Sequence, residues 1–234
     1  MDGWIEVRKC PACGFDKLVN YKVVTSAPAL VIDFCGGGLP VVTSTNYIQC
    51  VVCDLVIQSP RMSDERIAQY YASGLYRDTL GISVEYMDDD ERRRSSDVAC
   101  WLDLNKIKPI SHLDIGASRG YLLQNVNAEI QYGLDINKEY GGSTSGDVGT
   151  YELVTAIHVL EHVTDPMKEL QLYKSLSSDK VVIEVPGKNC KGGPLRFAHT
   201  FYYPPETLAN MIQAAGMLVL GMADEVNTRV LAQI

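Results

Sequence analysis

The pattern of apolar and polar positions changes near Ser111. Before it, short runs rich in β-branched and aromatic residues predict strands over Leu18–Val24, Ala29–Phe34 and Pro40–Ile48, with a turn at the glycines of residues 36–38. After it, apolar runs of strand length alternate with segments of helical period. Strands that alternate with helices indicate a parallel sheet with right-handed crossovers. The second half of the chain is therefore predicted to be α/β, with a smaller β-rich unit in front.

The first two strands of this predicted sheet are followed by residues suited to ligand binding. His112–Gly116 predicts a buried strand, and Ala117–Gly120 predicts the turn into a helix. Ile130–Asp135 predicts the second strand, which ends in an acid. Only 15 residues separate Asp135 from the next strand, which begins at Tyr151. We therefore expect an abbreviated link there in place of a full helix and strand.

The segment between the two halves is predicted to be helical. Ser63 suits the N-cap of a first helix, which carries Tyr70 and Tyr71 on one face. Gly74–Asp90 is interpreted as a connector, and a second helix is expected from about Glu91 to Lys106. The predicted division is thus a small module over residues 1–60, a helical connector over 61–106 and an α/β domain over 107–234.

Composition and charge narrow the functional classes. Hydrophobic residues make up 46% of the 234 positions and the mean hydropathy is −0.03, as expected of a globular protein with its own core. No apolar run is long enough to span a bilayer, and the cytoplasm is the expected compartment. The net charge of −8 argues against extended nucleic-acid binding, which would need a basic face. The sequence leaves open whether the protein forms a homo-oligomer.

Four of the seven cysteines form two matched pairs. Cys10 and Cys13, and then Cys50 and Cys53, are each separated by two residues. This spacing lets both thiolates of a pair reach one tetrahedral ion, so a structural Zn²⁺ held by four sulfurs is predicted, in a zinc-ribbon module. Reduced thiols or a redox pair are the alternative, but a redox motif needs only one pair, at a strand-to-helix junction.

The turn after the first core strand favours a cationic nucleoside as ligand. Gly116 and Gly120 let the backbone pass close to a ligand, and the carboxylate of Asp135 suits ribose hydroxyls. A dinucleotide site would need a third glycine at position 118, where the chain has Ser118. Asp114, just upstream, suits a positive charge better than a diphosphate.

These residues resemble class I S-adenosylmethionine-dependent methyltransferases. Asp114–Gly120 is similar to the first motif of that family, Asp135 to its ribose-binding acid, and Tyr151–Pro166 to its fourth-strand segment. The resemblance implies a Rossmann-like, mostly parallel sheet and S-adenosylmethionine as cofactor. It further implies cofactor contacts from residues of the first turn, the second strand end, the link and the fourth strand end, namely Asp114, Gly116, Ala117, Ser118, Gly120, Asp135, Ile136, Asp147 and His158.

The front of the chain resembles the zinc-headed subgroup of these enzymes. That likeness is carried by the paired cysteines, the Pro60-Arg61 step, the helix with Tyr70-Tyr71 and the Tyr76-Arg77 element. The resemblance implies a small-molecule or glycan acceptor, with transfer to oxygen favoured. A catalytically inactive zinc-ribbon and Rossmann adaptor is the alternative from another class. A nucleotide-sugar or NAD enzyme on the same fold is a third, disfavoured by Ser118 and Asp114.

Histidines are the candidates for proton acceptor, because imidazole titrates near neutral pH. We predict His162 or His199 as general base, with His162 preferred, and His112 as a core residue. If residues 158–162 were helical, His158, Glu161 and His162 would share one face. An alternative hypothesis is that those three residues and His199 bind a divalent ion.

Overall fold

The computed structural model describes residues 3–25, 44–72, 84–137, 149–191, 193–196 and 199–234, and every structural statement below concerns these residues. The strands, in chain order, are β1 (Trp4–Ile5), β2 (Leu18–Thr25), β3 (Ser44–Cys50), β4 (Val56–Gln58), β5 (Arg61–Met62), β6 (Ser111–Ile115), β7 (Ile130–Leu134), β8 (Tyr151–Ile157), β9 (Ser177–Pro186), β10 (Phe201–Tyr202), β11 (Leu218–Asp224) and β12 (Asn227–Gln233). The helices are α1 (Asp64–Ala72), α2 (Val84–Leu104), α3 (Tyr121–Asn125), α4 (Pro166–Leu176) and α5 (Pro205–Ala214).

A six-stranded sheet in the order β7-β6-β8-β9-β12-β11 forms the centre of the protein. The pairs β7–β6, β6–β8 and β8–β9 are parallel, whereas β12 is antiparallel to both β9 and β11. This is the mostly parallel, Rossmann-like sheet that the sequence predicts. In the described part of the chain β7 is an edge strand, and the predicted link of residues 141–147 lies outside the described residues.

Apolar side chains cover both faces of this sheet. On one face, Val98 and Leu102 of α2 pack with Leu122 of α3 against the strands. On the other, α4 and α5 contribute a larger cluster that includes Tyr173 and Leu208. Parallel strands covered on both faces are rich in hydrophobic residues, which explains the apolar runs of β8 and β9. The result is a three-layer α/β arrangement.

The amino-terminal strands share this core. A four-stranded antiparallel sheet has the order β10-β4-β3-β2, so its edge strand β10 comes from the carboxy-terminal half of the chain. The backbone N–H of Gln58 donates to the carbonyl of Thr200 at 2.8 Å beside this pair. Leu55 and Ile57 are fully buried in the same cluster as Phe201. The two halves are therefore joined by both backbone pairing and apolar contact.

Helix α2 begins earlier than the sequence pattern predicted. It starts at Val84, inside the segment Gly74–Asp90 that was interpreted as a connector, and not near Glu91. The early turns carry a local ion pair, between Asp88 and Arg92 one turn along the helix. They are further stabilised by a contact that a local pattern does not reveal, because Asp88 also accepts a hydrogen bond from Tyr121. Predicted features at residues 29–34, 36–38 and 76–77 lie outside the described residues.

Side chains cap two other helices, at the predicted Ser63 and at Asp165. Ser63 precedes α1, and its hydroxyl accepts a long hydrogen bond, 3.4 Å, from the backbone N–H of Arg66. Asp165 caps α4 by accepting from Lys168 at 3.0 Å, with Pro166 in the first turn. None of the helices in the described ranges combines the length and apolar character needed to cross a membrane.

Candidate functional site

The turn between β6 and α3 is built around two glycines in left-handed backbone conformation. Gly116 and Gly120 both have φ of +74°. A Cβ atom on Gly116 would lie 2.5 Å from Cγ2 of Val159, which follows β8. Glycine at 116 therefore serves two purposes: it permits the positive φ, and it lets the segments after two neighbouring strands approach each other.

Asp135 ties this turn to the end of β7. Its Oδ2 accepts a hydrogen bond from the backbone N–H of Ser118 at 2.8 Å, and its Oδ1 accepts one from Asn137 at 2.7 Å. The N–H groups of Gly116 and Ala117 donate to the carbonyl of Leu134 at 2.7 and 3.0 Å. A carboxylate oxygen has a second lone pair, so Asp135 retains acceptor capacity while it holds the turn in place.

Asp114 lies beneath the turn in a buried polar chain. Its carboxyl accepts from the hydroxyl of Thr155 at 2.6 Å, and Nε2 of His112 lies 2.8 Å from that hydroxyl. Burial raises the pKa of Asp114 to about 7, although the bond from Thr155 opposes the rise. Burial lowers the pKa of His112 to about 4, so this imidazole is neutral and is the core residue that the sequence predicted.

Helix α2 is hydrogen-bonded to Arg119 in the same turn and to Tyr121 just after it. Asp88 accepts from Arg119 at 2.5 Å and from the hydroxyl of Tyr121 at 2.6 Å. The hydrogen bond from Tyr121, followed by those of Arg92 and Arg119, lowers the pKa of Asp88. Sequence reasoning missed this contact because the partners are 31 and 33 residues apart and no motif links them.

A second group of polar side chains follows β8. His158 has φ of +56° and stands before a short 3₁₀ helix, Leu160–His162. The helical arrangement considered for residues 158–162 is therefore wrong, because the chain leaves the strand through a left-handed residue. His158 nevertheless contacts Glu161, with Nδ1 3.1 Å from Oε1, and its Nε2 lies 3.3 Å from Oε1 of Glu184.

Glu161 is a buried carboxylate at the centre of this group, with 1% of its surface exposed. Burial alone would raise its pKa, but the neighbouring imidazoles of His162 and His158 hold it at about 2. Its Oε1 lies 3.7 Å from Nε2 of His162. Its buried Oε2 has no hydrogen-bond partner among the described residues.

Two further aromatic rings enclose His162. The ring of His199 lies 5.0 Å away between centroids, and the hydroxyl of Tyr71 is 2.5 Å from Nδ1 of His162. His199 is buried, and its Nδ1 donates to the carbonyl of Pro194 at 2.6 Å. Burial, with a smaller contribution from His162, lowers the pKa of His199 to about 3. The structure thus brings together both histidines predicted as candidate bases.

Tyr71 is a site residue that sequence reasoning did not identify. The sequence places it on one face of α1, which the structure confirms as a helix, but gives no sign that it meets His162, 91 residues away. Tyrosines on a connecting helix are usually packing residues. Only the contact with His162 distinguishes Tyr71, as a site residue, from the other tyrosines of this segment.

An ion network behind His158 links three elements. Glu184 on β9 accepts from Nε of Arg229 at 2.5 Å and from Asn227 at 2.9 Å. Arg229 also pairs with Asp97 on α2 at 2.7 Å. Although burial opposes it, the bonds from His158 and Arg229 lower the pKa of Glu184. This network fixes the side chain against which His158 rests.

The four paired cysteines meet at one point. Sγ of Cys10 lies 3.5 Å from Sγ of Cys53, and Sγ of Cys13 lies 3.6 Å from Sγ of Cys50. Each pair sits on a tight turn, closed by bonds from Gly14 and Asp54 back to the first cysteine. All four sulfurs lie within 4.8 Å of one another, as four-sulfur coordination of a single ion requires. The cluster is compatible with the predicted zinc site.

The predicted cofactor contacts fall at adjacent strand ends. The turn Gly116–Gly120 follows β6, Asp135 and the exposed Ile136 follow β7, and His158 follows β8. Asp147 lies outside the described residues. In open α/β sheets ligands bind in the crevice beyond the carboxyl ends of the strands.

The chain belongs to the methyltransferase-domain family, whose match covers residues 91–220. The expectation that the protein is a methyltransferase is thereby confirmed. No functionally curated protein matches the chain.

Solved structures of S-adenosylmethionine-dependent methyltransferases share the fold. The magnesium protoporphyrin IX methyltransferase of Synechocystis, with bound S-adenosylhomocysteine, is 15% identical, with a TM-score of 0.56 over 73% of this chain and 99% of that one. The 1,6-didemethyltoxoflavin-N1-methyltransferase of Burkholderia thailandensis is 17% identical, with a TM-score of 0.53 over 79% and 97%. A methyltransferase of Clostridium acetobutylicum is 10% identical, with a TM-score of 0.50 over 68% and 99%. At these identities the likeness is one of fold.

Proposed function

We propose that the protein transfers a methyl group from S-adenosylmethionine to an oxygen of a small-molecule or glycan acceptor. The observation that carries this proposal is the convergence, at the carboxyl edge of the sheet, of a glycine turn, a strand-end carboxylate and a histidine cluster. A sulfonium methyl group is already activated, so the protein has to bind the cofactor, align the acceptor, exclude water and accept a proton.

The cofactor would lie across the ends of β6 and β7. Asp135 keeps acceptor capacity for ribose hydroxyls, and the exposed side chain of Ile136 next to it offers an apolar surface for the adenine ring. The Gly116–Gly120 turn would receive the methionine portion, with Asp114 beneath it as the acidic group. Asp147 is proposed as the acid near the adenine amine.

His162 is the better candidate for the general base. Neutral imidazole accepts a proton readily, and the carboxylate of Glu161, 3.7 Å from its Nε2, would stabilise the imidazolium that forms. His199 is a weaker candidate because burial holds its pKa at about 3. Tyr71 orients the His162 ring through Nδ1.

The hydroxyl group of the proposed acceptor is inferred from the site and not from the similar structures. Their names describe a protoporphyrin methyltransferase and an N1-methyltransferase of a didemethyltoxoflavin, so one fold serves acceptors of different chemistry. We place the cofactor's methyl group beside the histidines that follow β8. A proton acceptor at that position favours a hydroxyl group, which must lose a proton on methylation.

We also propose that Cys10, Cys13, Cys50 and Cys53 bind one structural Zn²⁺. A site filled by four sulfurs has no open position for substrate. Residues 1–60 would then form the zinc-binding module, 61–106 the connector and 107–234 the methyltransferase domain.

Calorimetry with S-adenosylmethionine tests the assignment most directly. Binding together with methyl transfer to a hydroxyl acceptor supports it. Failure to bind the cofactor would point to the adaptor alternative, and binding of NAD in its place to a dinucleotide enzyme.

Cofactor binding is expected to release a proton below neutral pH. In the free protein the Asp114 carboxyl has a pKa of about 7, well above its usual 3.8, so it carries a proton at pH 6. A cationic ligand favours the carboxylate, so its pKa falls on binding and the proton is lost. Affinity should therefore rise with pH, by at most about tenfold per unit, and level off above about pH 7. Calorimetry in buffers of different ionisation enthalpy measures the released proton. The Asp114→Asn protein should show no such release, and equal release from both proteins would contradict this role.

Replacing the proposed base should impair turnover more than binding. We expect His162→Gln to lower kcat by roughly 10²–10⁴-fold, the usual contribution of a general base, with the cofactor Kd little changed. Steady-state kinetics with cofactor calorimetry separate the two effects. Full activity in this variant would remove His162 from the mechanism.

A further inference from the structure

Three potential metal ligands meet beside the proposed methyl position. Glu161, His162 and His199 each offer one ligand atom, and these atoms lie within 4.8 Å of one another. Glu161 and His199 are buried, with exposed fractions of 1% and 7%. The group is separate from the cysteine cluster and contains no sulfur.

The buried carboxylate has spare acceptor capacity. Oε2 of Glu161 is buried and has no hydrogen-bond partner among the described residues. An unpaired buried carboxylate oxygen is costly, and such charges are normally paired or bound to a metal. Oε1 already contacts Nδ1 of His158, so the carboxylate is oriented through one oxygen while the other is left unpaired.

Both histidines are arranged as metal-binding histidines usually are. A ligating imidazole commonly donates its other N–H to a protein oxygen, which fixes the ring and the tautomer. Nδ1 of His199 donates to the carbonyl of Pro194 at 2.6 Å, which leaves the lone pair on Nε2. Nδ1 of His162 shares a hydrogen bond with Tyr71 at 2.5 Å, and donation from Nδ1 likewise leaves Nε2 to face Glu161.

His158 does not belong to the ligand set. Its two nitrogens face the carboxylates of Glu161 and Glu184, so it acts on Glu161 from outside. The four-residue set considered from the sequence is thus reduced to three in the described structure.

We propose that Glu161, His162 and His199 bind one divalent cation of borderline hardness, such as Zn²⁺, Co²⁺ or Fe²⁺, with open positions for acceptor oxygens. Two imidazoles and a carboxylate suit these ions, and three protein ligands are typical of catalytic sites that keep a position free. The inference deepens the proposed function and rests on it, because two oxygens of a vicinal diol could occupy the open positions.

The cation would change how the acceptor loses its proton. A cation on Nε2 of His162 excludes a proton at that atom. It would instead lower the pKa of a bound hydroxyl, whose proton passes to solvent water while the oxygen keeps the electron pair that attacks the methyl group. The ion-loaded and ion-free sites are therefore alternative states of one cluster.

Cobalt titration of the zinc-loaded protein tests the site. Protein shown by metal analysis to hold one Zn²⁺ per chain should bind one equivalent of Co²⁺. The visible d–d bands should appear without the near-ultraviolet charge-transfer band of a cobalt–thiolate bond, because the ligands are nitrogen and oxygen. Glu161→Gln and His199→Gln should abolish these bands. Tyr71→Phe should weaken binding by roughly 10–100-fold, the usual effect of losing an outer partner of a ligand.

Two variants serve as controls, with thermal unfolding to verify that each protein is folded. Cys190→Ser removes a nearby thiol that is not in the cluster, and His112→Gln removes a histidine from the core; both should bind Co²⁺ as the parent does. Absence of Co²⁺ binding, a thiolate charge-transfer band, or binding unchanged in folded Glu161→Gln and His199→Gln would overturn the proposal. A protein that binds S-adenosylmethionine but not Co²⁺ would retain the proposed function and lose only the cation site.

Discussion

Asp135→Asn should lose cofactor affinity although the two side chains have nearly the same shape. Both carboxylate oxygens accept backbone hydrogen bonds, from Ser118 at 2.8 Å and from Asn137 at 2.7 Å. Asparagine has one oxygen, so in either orientation one of these N–H groups meets an amide NH₂. Asparagine also lacks the negative charge that would accept a ribose hydroxyl in the proposed cofactor site. A hydrogen bond to a charged group contributes about 1.5–3 kcal/mol, so loss of one such bond is expected to lower the affinity for S-adenosylmethionine by roughly 10–150-fold.

Calorimetry of the variant measures this loss, and Asp103→Asn on the exposed side of α2 provides the matched control. The control should bind like the parent. If the Asp135→Asn protein bound S-adenosylmethionine as tightly as the parent does, the carboxylate would neither shape the turn nor contact the cofactor.

Cys50→Ser is expected to have the largest effect on stability. Cys50 is fully buried, and its turn lies between β3 and β4, the strand that pairs with β10. Structural zinc sites contribute about 10–16 kcal/mol of binding free energy, comparable with the stability of a whole domain. We therefore expect the variant to lose its zinc and most of its cooperative thermal unfolding. Methyl transfer should fall with them, because β10 closely follows His199 of the histidine cluster.

Metal analysis and calorimetric unfolding check this expectation. Cys100→Ser, which removes an exposed cysteine on α2, should retain one Zn²⁺ per chain and the parental Tm. If Cys50→Ser kept its zinc content and its Tm, the four-sulfur site would be wrong, whatever the fate of the methyltransferase assignment.

Most of the sheet could be predicted because its signals are local. β8 and β9 contain short apolar runs, Leu153–Val154 and Val181–Ile183, and the glycines after β6 identify the turn without any knowledge of neighbouring strands. The start of α2 could not be predicted in the same way. Its first turns are polar, and they are stabilised by Arg119 and Tyr121, which are distant in sequence.

The site likewise combines features with local sequence signals and features that depend on long-range contacts. The spacing of Cys10 and Cys13 is enough to predict a ligand pair, since both sulfurs belong to one turn. The surroundings of His162 are not contained in its own segment, because Tyr71 comes from α1 and His199 follows a segment after β9. Glu184 and Arg229 also escaped prediction, because their pairing depends on the antiparallel contact between β9 and β12.

The pairing of β10 with β4 limits how this chain can be engineered. Phe201 and Tyr203 are almost fully buried in the intact chain. A fragment covering only residues 107–234 would lack β4, so these two side chains and the edge of β10 would be exposed to water. An exposed strand edge of that kind favours aggregation. A chimaera that takes its amino-terminal segment from another methyltransferase should therefore also take the residues around Phe201 from that protein. The strand that replaces β4 would then pair with the β10 strand that it evolved with.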